Sequence, residues 1–245
     1  MTDVRLDHVA AQLEGLEETI IHRLVDRAQF SQNLQVYEAG KSGFSGEPAR
    51  SLFSLRLFSQ ESMDAEFGRF QVPEERPFST GLPAARRVVN LPPSLLVLPD
   101  FEAVNLTQEI LAAYLPFIRR FCAEGTDRQF GSSVEHDIYA LQAISRRIHF
   151  GAMYVAEVKY RAETAAYRPL IQAGDRDGLI ALLTRPEVEA NIVRRVGDKV
   201  RYIQAGVNRA VRVLIDNEAV LELYRDTIIP LTKEGEVRYL LARPL

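Results

Sequence analysis

The sequence predicts an all-α chain, and three observations carry that expectation. Apolar residues recur at steps of three and four over long stretches, strand-like alternation is confined to fragments such as Val211 to Leu214, and half of the twelve prolines crowd between residues 72 and 99. With 47% apolar and 26% charged residues, the composition supports an ordinary packed core and excludes a collagenous or disordered chain. A length of 245 residues fits one domain spanning 1–245.

Leu6, Val9, Leu13, Leu16, Ile20 and Leu24 form one apolar stripe and predict a first helix of more than five turns. The short stretch Val36-Tyr37-Glu38 and a loop through Ser45 lead to a second helix over about 47–70. Pro73, Pro77, Pro83, Pro92, Pro93 and Pro99 then forbid sustained periodicity, which predicts a long irregular loop over 72–99. A third helix is expected over about 105–122, followed by a polar turn at 124–129. Ser132 or Ser133, with Glu135 placed for a capping box, should open a long helix to about Tyr167, with Gly151 its one weak point. Helices are expected over 176–183, over 187–204 behind Pro186, and over 217–241 with a bend at Pro230.

Thirty Lys and Arg against 33 Asp and Glu give a net charge of −3 and leave no global basic field for nucleic acid or an anionic membrane. An anionic ligand therefore needs a local basic pocket. The single cysteine, Cys122, excludes an internal disulfide, and the four histidines lack the helical zinc spacing. The charged N-terminal heptapeptide is unlike a signal peptide, and no run approaches the ~18 apolar residues of a membrane span. These features predict a reduced, cytoplasmic, metal-independent protein.

Three places put charge on otherwise apolar helices: Ser145-Arg146-Arg147-Ile148-His149-Phe150, then Glu189, then Thr232-Lys233-Glu234-Gly235-Glu236. Thr232 and Glu236 are four apart and share a helix face. Charge alone favours solvated faces or internal ion pairs over an anion site at each. His149 reads as a satisfied core histidine, and Cys122 as a small buried hydrophobe.

The stretch from Phe130-Gly131-Ser132-Ser133 through Ser145-Arg146-Arg147-Ile148-His149-Phe150-Gly151 to Val155-Ala156-Glu157-Val158-Lys159-Tyr160 resembles the eukaryotic-type, all-helical chorismate mutases. So do Ile228-Ile229-Pro230-Leu231-Thr232-Lys233-Glu234 with Glu236, and Glu18-Thr19-Ile20-Ile21 through Asp26-Arg27 to Val36-Tyr37-Glu38. These blocks stand in family order along nearly the whole chain. The resemblance implies a homodimer in aromatic amino acid biosynthesis, the shikimate pathway. It also implies that chorismate, a dicarboxylate, is rearranged to prephenate without cofactor. Matched residue by residue, Arg147 grips a substrate carboxylate, Lys159 reaches the ether oxygen, Glu189 bonds the hydroxyl, Thr232 is an auxiliary pocket residue, and protonated Glu236 donates to the ether oxygen.

The chain departs from the family pattern at several places. Ala10 stands where the first helix should supply a carboxylate-binding arginine, and Arg5 and His8 lie on other sides of that helix. A pocket asparagine is replaced by Arg185, a candidate substrate-binding cation. Arg147 and Lys159 are twelve apart rather than eleven, so at roughly 100° per residue Lys159 keeps the pocket face only if a π-bulge absorbs the excess. In the effector loop and helix start of the fungal members, Gly68 replaces one of two arginines, Arg69, Gly131 and Ser132 match, and Glu135 replaces a threonine. That pattern predicts no regulation by tryptophan or tyrosine. Two other functions fit these departures: a non-catalytic or repurposed relative binding a related carboxylate ligand, and a lyase acting on a related anion.

Overall fold

A computed structural model describes residues 5–245. The expectation drawn from the charged N-terminus falls partly on residues 1–4, which lie outside the described residues. All regular structure among the described residues is helical, and residues 211–214 form no strand.

Helix α1 (Leu6–Arg27) buries Val9, Ile20, Ile21, Leu24 and Val25 along one stripe, while Leu6, at its start, stays in solvent. The stripe packs on α4 (Phe130–Phe150), whose Val134, Ile138, Leu141, Ile144 and Ile148 are fully buried. Each such side chain contributes about 1.5–3 kcal/mol by leaving water. Helices α2 (Leu52–Glu66), α3 (Thr107–Phe121), α8 (Pro186–Ala205) and α9 (Asn217–Leu223) complete this apolar cluster. A second cluster joins α5 (Ala156–Ala162), α6 (Thr164–Ala173), α7 (Arg176–Leu183) and α10 (Ile229–Ala242) to Leu96, Leu98 and Val104.

One ionic pair is sealed inside the first cluster. Arg27 Nε donates to Asp137 Oδ1 at 2.6 Å, and the hydroxyls of Tyr37 and Tyr114 donate to the same carboxylate at 2.5 and 3.0 Å. Removing one partner from such a pair typically costs about 3–5 kcal/mol, because the other charge stays buried and alone.

Several boundaries differ from expectation, each for a local reason. Helix α2 starts at Leu52 rather than 47, where Ser51 and Ser54 form a reciprocal capping box. It ends at Glu66, because Gly68 adopts φ +82 and turns the chain. Thr107 opens α3 because the Asn105 side chain already accepts its N–H. The capping box expected at Ser132 or Ser133 does not form. Helix α4 begins at Phe130, Ser133 donates back to the Phe130 carbonyl, and Glu135 pairs with Arg56 at 3.0 Å. Beyond α4 the chain makes a π turn, Gly151–Val155, and the helical course breaks at Glu163, with φ −132 and ψ 44.

A second π turn, Tyr224–Ile228, separates α9 from α10. Pro230 has no N–H to offer the Asp226 carbonyl, which removes an i→i−4 bond and widens the backbone just ahead of it. The Val72–Pro99 segment is irregular as expected. It is fastened at one end by Glu61, whose buried carboxylate accepts the N–H groups of Phe78 and Ser79 at 2.8 and 2.7 Å. Arg161 and Tyr239 hold the other end, at the Leu95 carbonyl and the Val97 N–H.

Candidate active site

The π turn packs directly on α10, and two glycines make the approach close. A Cβ on Gly151 would lie 2.8 Å from Thr232 Cγ2, and one on Gly235 would lie 2.5 Å from the Ala152 methyl. The turn sits between Arg147 on α4 and Lys159 on α5, and α10 supplies the side chains that face both.

Arg147 is only 2% exposed. Its Nη1 donates to Thr232 Oγ1 at 3.1 Å, and Thr232 in turn donates to the Ile228 carbonyl. Its Nε has no hydrogen-bond partner, and no carboxylate among the described residues forms an ion pair with it. Burial pulls its guanidinium below the ordinary arginine value. A buried cation without a counter-ion is unfavourable until an anion reaches it.

One helical turn along α10 from Thr232, the carboxylate of Glu236 accepts from Lys159 Nζ at 3.2 Å. Burial raises the Glu236 carboxyl above the ordinary carboxylate range, while Lys159, Lys233 and Arg147 pull it back only in part. Lys159 also donates to the Leu183 carbonyl at 3.4 Å, at the end of α7. Glu189, in the first turn of α8, pairs with Lys233 at 2.7 Å. The structure thus brings Arg147, Lys159, Thr232, Glu236 and Glu189 to one place. Arg185 stands at the N-cap of α8, exposed, its side chain without a hydrogen bond or ion pair among the described residues. Ala10 is exposed on α1, one turn before Leu13, which borders Gly151.

Sequence reasoning missed the layer behind Arg147. Glu17 is fully buried and receives a two-pronged contact from Arg195, at 3.0 and 2.6 Å, with Lys199 at 3.3 Å. Tyr224, also fully buried, lies under the Arg147 guanidinium, 6.0 Å from ring centre to Cζ, and its hydroxyl has no partner. The available signal was an acid in an apolar register, since Glu17 falls between Leu13 and Ile20 on the buried stripe of α1. Arg146, beside Arg147, is exposed and faces Glu74 and Glu75. His149 is a satisfied core histidine whose Nε2 accepts the Leu106 N–H.

Two lysine donors, a raised carboxyl and an unmatched buried arginine gathered along one face of α10 suit an anion with an ether or hydroxyl oxygen. Comparison with known proteins decides between families. The chain is 37% identical over 97% of its length to chorismate mutase 2 of Petunia hybrida, covering 92% of that protein. It belongs to the chorismate mutase family. No family model matches the chain. Among solved structures, the chorismate mutase from Candida albicans in complex with L-Trp superposes with a TM-score of 0.88 at 32% identity, covering 97% of this chain and 91% of that one. The chloroplast chorismate mutase from Zea mays does so at 0.85 and 36%, covering 98% and 95%. These relatives share the all-helical architecture, so the π turn is set within a chorismate mutase fold.

Proposed function

We propose that this chain is a chorismate mutase, an isomerase converting chorismate to prephenate, with Arg147, Lys159, Glu189, Thr232 and Glu236 as its working residues. The Claisen rearrangement breaks one C–O bond and forms one C–C bond within a single molecule, so no nucleophile or proton abstraction is needed. Catalysis reduces to holding the compact diaxial conformer and stabilising the charge that grows on the ether oxygen. Arg147 takes a substrate carboxylate, with Thr232 fixing its orientation. Lys159 and protonated Glu236, neighbours at 3.2 Å, both donate to the ether oxygen. Glu189 leaves Lys233 to accept the substrate hydroxyl.

The observation that carries this reading is the buried Arg147 without a counter-ion, one α10 turn from a raised carboxyl. Purified protein given chorismate should consume it and yield acid-dependent phenylpyruvate. Ligand binding without turnover would select a repurposed relative, and pyruvate release would select a lyase.

The reading includes a single-domain cytoplasmic protein that works as a homodimer. Light scattering at micromolar concentration should give twice the 27.7 kDa chain mass.

A further inference from the structure

We propose that Arg185 is the second carboxylate contact of the substrate site, reaching in from the junction of α7 and α8. The proposal rests on the mutase reading, which requires a ligand with two carboxylates.

The cations around these residues are nearly all committed. Lys159 is held by Glu236 at 3.2 Å and Lys233 by Glu189 at 2.7 Å. Arg195 and Lys199 are shared among Glu14, Glu17 and Glu18. Arg147 alone is unmatched within the walls, and one guanidinium serves one carboxylate. On α1 the position nearest the site on the Leu13 face is Ala10, which offers no charge, and Arg5 is turned to Asp7 at 2.9 Å.

Arg185 is bracketed by two residues of the site. Leu183, two positions earlier, gives its carbonyl to Lys159, and Glu189, one turn later, faces Lys233. Two Cα–Cα steps of 3.8 Å keep Arg185 within an arginine side chain's reach of that carbonyl. Its backbone is pinned on both sides, by the Thr184 N–H on the Ile180 carbonyl and by its own carbonyl accepting the Glu189 N–H. Its side chain has no partner. Tyr167, buried on α6, supports the placement. Burial and the charge of Glu236 push its phenol up to about 12, and Arg185 acts on the same ring in the opposite sense. Arg185 and Glu236 thus both lie within charge range of the Tyr167 ring, at the end of the site where Lys159 meets the Leu183 carbonyl. A planar guanidinium on a fixed backbone is suited to grip a carboxylate with two parallel bonds.

The test is isothermal titration of the full-length protein with prephenate, the dicarboxylate product, and with its two monomethyl esters. In the parent protein each ester should bind ~10- to 100-fold more weakly than prephenate. In Arg185→Gln, prephenate should weaken by the same factor and one ester should lose its penalty, whereas a merely structural role would leave both penalties in place. Arg185→Lys should recover part of the affinity. Ala10→Arg should restore binding in the Arg185→Gln background and be neutral or harmful alone, because the added cation would compete for an occupied carboxylate. Arg185→Gln binding prephenate within twofold of the parent, with both ester penalties intact, would overturn the proposal while leaving the mutase reading standing. A parent protein that binds none of the three ligands would overturn both.

Discussion

Arg147 and Lys159 are twelve residues apart, yet they meet α10 one turn apart, at Thr232 and Glu236. On a regular helix twelve residues leave the second side chain about 120° off the first, whereas eleven leave it about 20° off. The π turn Gly151–Val155 accommodates the extra residue and returns Lys159 to the pocket face.

Deleting Tyr154 should therefore convert the π turn to regular helix and keep Lys159 in place. The cost is its stacking on Phe150, now 4.5 Å between ring centres and worth about 1 kcal/mol. Expected kcat/KM stays within about tenfold of the parent. Inserting an alanine after Ala156 instead rotates Lys159 by roughly 100° and should lower kcat/KM at least a hundredfold with circular dichroism unchanged. Equal losses in the two variants would contradict this account.

Glu236 must be protonated to donate to the ether oxygen, and burial raises its carboxyl above the ordinary range. Activity should be full at pH below that raised value and fall as pH rises through it. In Glu236→Gln the amide is a permanent donor, so the descending limb should flatten. A pH–rate profile of the two proteins checks this, and an unchanged limb in the variant would remove Glu236 from the role.

The contact of Gly151 with Thr232 leaves no room for a methyl group. Gly151→Ala should destabilise by about 1–3 kcal/mol and raise KM, because Thr232 would be pushed from Arg147. Thr232→Ser removes the clashing Cγ2 while keeping the hydroxyl, so the double variant should recover both. Urea unfolding and steady-state kinetics on the three proteins read the two effects separately.

His149 is buried as the neutral base, its imidazole pushed down to about 4 by burial. A depressed base binds fewer protons folded than unfolded, so stability is highest above about pH 6.5 and declines as pH falls toward 4. The decline attributable to His149 is about 3 kcal/mol in order of magnitude. His149→Gln, which can still accept the Leu106 N–H, should show a shallower loss of urea midpoint between pH 7 and 4.5.

Tryptophan and tyrosine should leave the rate unchanged within twofold. Arg69 is spent on Asp64, Glu75 and Gln142, and Glu135 on Arg56. A Cβ on Gly68 would sit 2.4 Å from Val89 Cγ2, so an arginine cannot be carried there without moving the loop. Initial rates with each amino acid at millimolar concentration decide the point.

Helix existence was legible because burial imposes a period on the chain, as Ile20 and Leu24 show on α1. Helix ends were less so, since the Ser51–Ser54 cap and the Asn105 side chain compete with neighbouring signals that look equally good. The π turn was legible only as an arithmetic excess between Arg147 and Lys159. The Glu17–Arg195 layer was hidden because its partners lie 178 residues apart, beyond any local pattern. The pairing of Lys233 with Glu189 was hidden for a similar reason, as nothing in the helix of Lys233 points to Glu189.

The fastenings of the Val72–Pro99 segment leave a stretch around Arg87 to Leu91 without side-chain anchors, and Val88 there is 82% exposed. Trypsin should find Arg86 and Arg87 before the helical arginines, and the cut would sever only one covalent link. Glu61 and Arg76 would keep the first fragment folded onto its own loop. Tyr239 and Arg161 would do the same for the second, and α1 would still pack on α4. The nicked protein should therefore stay assembled and migrate as one species until denatured. The same point is then a natural place to divide the gene into two complementing halves, with every proposed working residue on the C-terminal piece and α1 on the other.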